Sequence, residues 1–244
     1  MSQPQTLVIV RHGETEWNRI AKAVRTGQMP MPENMKGVAN PNTKLSQFGK
    51  EQSIATGKRL AKLHRDIERV YYSPWVRATQ TKELILQQFP ERLRNNLEAS
   101  SLPSLFIREQ EAGELDMGSG DHEKANKLYQ EYRLMARQKG HFSLTHGGIE
   151  SWGSVGNRVN LFVQRLKRSS RYNDRKLLIV THGIVLLMFR FVLENLTEYE
   201  VERIHDDDHP KNCSVYTYEW YPTGDRYVLI GCNETYYKNG LRKL

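Results

Sequence analysis

Residues 6–10 read Thr-Leu-Val-Ile-Val, a β-branched and apolar run with no polar alternation, which predicts a strand buried on both faces. A second run of this kind, residues 176–180, stops at Thr181-His182-Gly183, and a helix is expected from Ile184. Shorter runs at residues 69–73 and 104–107 predict two further strands. Elsewhere the apolar period is that of a helix. Residues 46–63 keep helical spacing behind Ser46, a suitable N-cap, and Pro74 suits the first turn of a helix reaching about Gln88. Residues 123–139 and 152–168 are predicted helices as well. Near the end, residues 215–220 and 227–230 predict an antiparallel pair across Pro222-Thr223-Gly224-Asp225. Residues 27–42, polar and holding Pro30, Pro32 and Pro41, read as a long loop, a feature more often functional than idle. Strands alternating with helices predict an α/β fold of three layers, α/β/α, around a mostly parallel sheet. The chain, residues 1–244, is expected to be one domain with inserted segments at about 27–42 and 121–151.

Composition narrows the setting. With 244 residues, 38% apolar and 26% charged, the chain has what a globular protein needs for one sizeable core. Its longest apolar stretch, residues 184–193, is interrupted by Arg190 and too short to cross a bilayer, so no membrane is expected as partner. The first residues lack the basic and apolar regions of a secretory signal. Two cysteines, Cys213 and Cys232, cannot build a disulfide framework, and a reduced, cytoplasmic setting is expected. Cys213 is read as the start of a strand, packing as a small hydrophobe. The net charge of +8 favours anions in general, but the basic residues are dispersed, and nucleic acid is not expected. His205-Asp206-Asp207-Asp208-His209 lacks a fixed ligand spacing and reads as an acidic loop rather than a metal site.

In open α/β sheets, ligands bind beyond the carboxyl ends of the strands. Four useful segments lie there: Arg11-His12-Gly13, Arg77, Glu109 with Glu111, and His182-Gly183. Their chemistry fits one task. Two guanidiniums hold phosphoryl oxygens by charge-assisted hydrogen bonds. A neutral imidazole is a competent nucleophile near neutral pH, and a second, protonated one stabilises the charge on the equatorial oxygens. A carboxylic acid protonates the leaving oxygen and later takes a proton from water. Arginine and histidine supply the positive charge, so neither metal nor cofactor is expected, and a phosphorylated small molecule is the expected partner.

Val8-Ile9-Val10-Arg11-His12-Gly13-Glu14-Thr15-Glu16-Trp17-Asn18 resembles the signature of the histidine phosphatase superfamily, with its phosphoglycerate mutase-like fold. Leu45-Ser46-Gln47-Phe48-Gly49, Ser73-Pro74-Trp75-Val76-Arg77-Ala78-Thr79-Gln80-Thr81, Arg108-Glu109-Gln110-Glu111 and Val180-Thr181-His182-Gly183 extend the resemblance over most of the chain. The resemblance implies that His12 is the phosphorylated nucleophile and that Arg11, Arg77 and His182 complete the phosphate pocket. It also implies that Asn18 contacts the phosphate and that Gly183 offers its backbone N–H. Glu109 falls on the family's acid position, and Glu111, two residues on in an extended segment, is kept as the alternative. Ala112 departs from the bulky aromatic common there.

The resemblance leaves two enzymes open. Phosphoglycerate mutases place an Arg-Arg pair and a proline-rich segment in the region of residues 121–150, and this chain has neither. Gly147-Gly148-Ile149-Glu150-Ser151-Trp152 instead resembles the Gly-Glu-Ser stretch of the broad-range acid phosphatase branch, with Ile149 interrupting it. The expectation is a metal-independent phosphomonoesterase working through phospho-His12. Mutase-type phosphoryl transfer is the alternative, and a catalytically silent phospho-ligand binder ranks last. Oligomeric state stays open, a homodimer included.

Overall fold

The computed structural model describes residues 4–26, 28–116, 121–168 and 175–237. Strand β1 (Thr6–Arg11) carries Leu7 and Ile9 to one face and Val8 and Val10 to the other, all fully buried. An extended chain imposes this period of two, and a run without polar residues then needs cover on both sides. β2 (Ile67–Tyr72), β3 (Ser101–Pro103) and β4 (Lys176–Thr181) join it in parallel, while β5 (Val215–Tyr221) and β6 (Arg226–Glu234) add an antiparallel margin. The sheet order is β3-β2-β4-β1-β5-β6.

The helices among the described residues are α1 (Glu16–Arg25), α2 (Gln47–Leu63), α3 (Val76–Leu86), α4 (Glu91–Ala99), α5 (His122–Lys139), α6 (Trp152–Arg168), α7 (Gly183–Glu194) and α8 (Glu198–Asp207). α2, α3 and α4 lay Leu60, Ile85, Leu86 and Leu97 over Val8, Val10, Val70 and Leu178. From α6, α7 and α8, residues such as Val159, Phe162, Leu186, Phe189 and Val201 cover Leu7, Ile9, Leu177 and Ile179 on the other face. Each such buried side chain contributes about 1.5–3 kcal/mol. The expected three-layer α/β/α fold with a mostly parallel sheet is the fold found.

Several elements differ from the sequence expectation. The third strand is Ser101–Pro103, and Leu105–Ile107 turns as a 3-10 helix. After Pro103, Ser104 N–H still donates to Tyr72 O at 2.9 Å, then the chain turns and sinks Ile107 into the core. A short apolar run does not by itself distinguish strand from buried turn. Among the described side chains, helix α1 buries only Ile20 and Val24, and α4 only Leu97, too sparse a stripe to announce either. Helix α8 starts in a capping box between Thr197 and Glu200 and absorbs His205, Asp206 and Asp207 into its last turn, where an acidic loop was expected. Residues 28–42 are a loop with 3-10 turns at Glu33–Met35 and Asn40–Asn42; Gly27 lies outside the described residues.

The turn after β1 is locked to the start of α2. Ser46 caps α2 by accepting from Gly49 N–H at 3.0 Å, and its hydroxyl reaches the Glu14 carboxylate at 3.1 Å. Gly49 lies so close that a Cβ there would stand 1.9 Å from Glu14 O. Gly49→Ala is therefore expected to cost about 3 kcal/mol or more, read as a lowered denaturant midpoint. An unchanged midpoint would contradict this close approach.

Candidate active site

β1 and β4 lie side by side in the sheet, and their carboxyl ends deliver His12 and His182 within 5.1 Å of each other, ring centre to ring centre. β2 ends next to β4, where Ser73 N–H donates to Val180 O at 3.0 Å, and α3 then brings in Arg77. The loop after β3 supplies Glu109. Residues from four widely separated segments thus meet at one edge of the sheet, as the crevice rule for open α/β sheets requires.

His12 is 2% exposed, and its Nδ1 lies 2.7 Å from the carbonyl of Gly13. A carbonyl only accepts, so the ring proton is on Nδ1 and the lone pair on Nε2. That lone pair accepts from Arg77 Nε at 3.1 Å. Arg77 is held by a further bond from Nη1 to Asn40 O at 2.7 Å and by the Trp75 ring, 4.7 Å from its Cζ. Burial, then Arg77 and Arg11, hold His12 well below the ordinary histidine range, so the imidazole stays neutral and nucleophilic in mild acid.

Arg11 donates from Nη1 to Pro210 O, and its buried Nε has no partner among the described residues. Burial lowers the Arg11 guanidinium's pKa, with the Glu109 carboxylate opposing that shift most strongly. Arg77 is pushed down to about 10 by burial, again with Glu109 as the largest opposing charge. Both guanidiniums remain charged at neutral pH. His182 is fully buried, and its Nε2 lies 2.7 Å from Ser73 Oγ. The same Ser73 oxygen accepts from Trp75 N–H at 3.3 Å. His182 Nδ1 is likewise buried without a partner among the described residues. Unpaired buried polar groups cost about 1–3 kcal/mol each, and the oxygens of a bound anion are natural acceptors for the Arg11 Nε–H.

The two carboxylates separate. Glu109 lines the cleft and acts electrostatically on both Arg11 and Arg77. Glu111 is exposed, paired with Arg108 Nε at 2.8 Å, and its N–H donates to Glu150. The structure does not bring Glu111 to the cluster. Asn18 keeps its carbonyl side occupied by Thr15 N–H at 3.1 Å and Asn212 Nδ2 at 3.4 Å, which turns its amide NH2 outward as a donor. Gly183 opens α7, behind the His182 N-cap, where N–H groups lack helical partners. A Cβ on Gly183 would stand 3.3 Å from Arg11 Nε and 3.2 Å from His209 Nε2.

Sequence reasoning gave no role to three contributors. Pro210 O fixes Arg11, Asn212 Nδ2 donates to His12 O at 3.2 Å, and Arg158 holds the acid loop. Arg158 donates from Nη1 to Phe106 O at 2.8 Å and Arg108 O at 2.7 Å, and from Nη2 to Glu109 O at 3.1 Å. The same guanidinium grips Glu150 at 2.7 and 2.9 Å. An arginine recurring on an otherwise apolar helical stripe, as Arg158 does between Val155 and Val159, was the available signal.

Buried histidines make the fold pH-sensitive, His64 and His141 in part and three others most of all. His12 and His182 are held well below the ordinary range, and His209 is pushed down to about 3, in each case by burial first and cationic neighbours second. Unfolded, each titrates near pH 6.5. Below that pH the unfolded chain binds protons that the folded chain refuses, so stability present above it is lost on acidification. The expected loss between pH 6.5 and 5.5 is roughly 1 kcal/mol per histidine, measured by denaturant unfolding. A flat profile across this window would contradict the buried neutral rings.

The histidine phosphatase superfamily (branch 1) matches residues 7–233. The 2,3-bisphosphoglycerate-dependent phosphoglycerate mutase of Bartonella henselae is 25% identical over 197 residues, spanning 81% of this chain and 85% of its own. Phosphoserine phosphatase 1 of Hydrogenobacter thermophilus is 26% identical over 182 residues, 73% of this chain and 71% of its own. A mycobacterial glucosyl-3-phosphoglycerate phosphatase shares the fold with a TM-score of 0.69 at 21% identity, covering 95% of this chain and all of that one, 100%. With the histidine, arginine and glutamate cluster at the head of this sheet, the chain belongs to the histidine phosphatase superfamily.

Proposed function

We propose that the protein is a metal-independent phosphomonoesterase that hydrolyses small phosphorylated molecules through a phosphohistidine on His12. The observation carrying this reading is the tautomer of His12: Nδ1–H is engaged by Gly13 O, leaving the Nε2 lone pair beside Arg77. In the first step Nε2 attacks phosphorus, the P–N bond forms, and the ester P–O bond breaks. Protonated Glu109 gives its proton to the departing oxygen. In the second step water attacks the phosphohistidine, Glu109 takes the proton from water, and inorganic phosphate leaves with His12 neutral again. Arg11, Arg77, His182, Asn18 and the Gly183 N–H bind the phosphoryl oxygens in both steps.

Mutase chemistry is the second reading, favoured by the curated mutase relative. A mutase must keep water from the phosphohistidine. Here the cleft beside Glu109 has a volume of about 850 Å³, space for water beside a small substrate, and Arg133 and Arg137 stand one turn apart on α5 rather than as a pair. These features support hydrolysis. In this reading the whole chain works as one domain, residues 27–42 and 121–151 shape specificity, and the enzyme works in the cytoplasm as two free thiols suit. Among the described residues no helix is long and apolar enough to cross a membrane.

The test is a brief reaction with a 32P-labelled phosphomonoester, quenched in alkali. Acid-labile label on His12 and release of inorganic phosphate without added metal are expected. Isomerisation of a phosphorylated hydroxy acid outpacing phosphate release would decide for the mutase. Label-free protein with no turnover would decide for neither enzyme.

A further inference from the structure

We propose that Asn233, on the outermost strand β6, is a positioning residue that aims Arg11 into the phosphate pocket, a role that rests on the function proposed above. Arg11 ends β1, so the sheet fixes its backbone, and its N–H donates to Ser214 O at 3.1 Å. The long side chain needs a separate hold. Among the described residues its guanidinium has one hydrogen-bond partner, Pro210 O. Whatever sets Pro210 therefore sets the direction of Arg11. Pro210 belongs to an arc, residues 208–213, that joins α8 to β5. The arc serves the pocket at several points. It lays His209 beside Gly183, and Asn212 Nδ2 and Cys213 N–H donate to His12 O at 3.2 and 3.1 Å.

Asn233 ties this arc down. Its Nδ2 donates to Asp208 Oδ1 at 2.7 Å and reaches His209 O at 3.4 Å, while Lys211 N–H donates to its Oδ1 at 2.9 Å. One amide thus grips the chain on both sides of Pro210, which has no N–H of its own to anchor it. The strand is built to present that amide. Thr217 pairs with Gly231 and Val215 with Glu234, so β6 carries one residue more than β5 across this stretch, a bulge. Asn233 sits in it at φ 49°, in the left-handed region that asparagine tolerates better than most residues. The kink buries Asn233, 8% exposed, between the exposed Cys232 and Glu234. Bulges re-aim single side chains in this way beside active sites. Here the side chain reaches from the sheet margin to the residues that hold Arg11.

Asn233→Asp keeps the shape and the acceptor for Lys211 N–H, but it removes the Nδ2 donor and sets a carboxylate against Asp208. With p-nitrophenyl phosphate, kcat/KM is expected to fall by roughly 10–100-fold. Adding Asp208→Asn returns a donor to face the new carboxylate, and the double variant is expected to recover to within about threefold of wild type. Tyr227→Phe removes a buried hydrogen bond to Pro4 O from the same strand, and it is expected to change kcat/KM by less than about twofold. Nitrogen-15 NMR reads the link without any turnover. The Arg11 Nε–H signal, assigned by its absence in Arg11→Lys, is expected to exchange with water at least about tenfold faster in Asn233→Asp. Protection is expected to return with Asp208→Asn. An unchanged Arg11 signal in Asn233→Asp, or an activity loss that Asp208→Asn does not restore, would overturn the positioning role. Wild type that releases no phosphate from any phosphomonoester would sink the function proposed above, while the Arg11 signal would still decide the role of Asn233.

Discussion

Replacing His12 by alanine is expected to lower kcat by about 10⁴-fold or more, with no acid-labile label retained on the protein. The imidazole is the nucleophile in the proposed reaction: Nδ1–H donates to Gly13 O, which leaves the lone pair on Nε2, beside Arg77 Nε. No neighbouring group substitutes for it: His182 has its Nε2 tied to Ser73, and Cys213 is buried with its thiol pushed up to about 12 by burial. The fold is expected to survive, because His12 packs by a ring edge against His182 and is not a member of the buried apolar clusters on either face of the sheet. Stability in mild acid is expected to rise, since one of the five proton-refusing histidines is removed. Wild-type turnover in purified His12→Ala, confirmed folded by its unfolding transition, would overturn the nucleophile assignment.

Arg158→Met is expected to cost about 3–5 kcal/mol and to damage the reaction selectively. The methionine keeps much of the stem's volume but leaves Glu150 without its main partner and strips the carbonyls of Phe106, Arg108 and Glu109 of their common donor. Arg158 touches no reacting atom in this arrangement; it positions Glu109 through the backbone. Loss of a correctly placed general acid costs about 10²–10⁴-fold where the leaving oxygen needs a proton. Alkyl phosphates are therefore expected to lose roughly 10²-fold or more in kcat/KM. p-Nitrophenyl phosphate, with a leaving group stable as an anion, is expected to lose less than about tenfold. Equal losses for both leaving groups would assign Arg158 to stability alone. Glu150→Gln provides the second arm: a positioning role predicts the same dependence on leaving group at a smaller stability cost.

The legible parts of the fold were those decided by local chemistry. β1 and β4 announce themselves because Leu-Val-Ile-Val and Leu-Leu-Ile-Val leave no polar face, and Ser46 announces α2 because a side-chain oxygen satisfies a free N–H within its own turn. Helices α1 and α4 were not legible, since their few buried residues make sense only against neighbours distant in sequence. The β3 region was misplaced because Leu105-Phe106-Ile107 has strand chemistry, and only the edge position in the sheet makes it turn inward.

The site divides along the same line. Residue types and their order along the chain, Arg11-His12, Arg77, Glu109 and His182-Gly183, were enough to point to the family and to the pocket proposed for phosphoryl groups, because the proposed reaction demands those functional groups wherever they are held. Which nitrogen of His12 carries the lone pair, which of Glu109 and Glu111 faces the arginines, and what restrains the acid loop were settled by tertiary structure. Each depends on a donor or acceptor from a remote segment: Gly13 O and Arg77 for His12, Arg108 and Glu150 for Glu111, Arg158 for the loop. Chemistry that a side chain carries by itself can be read from its identity. The direction in which that chemistry acts is set by partners that only the folded chain brings within 3 Å or so of it.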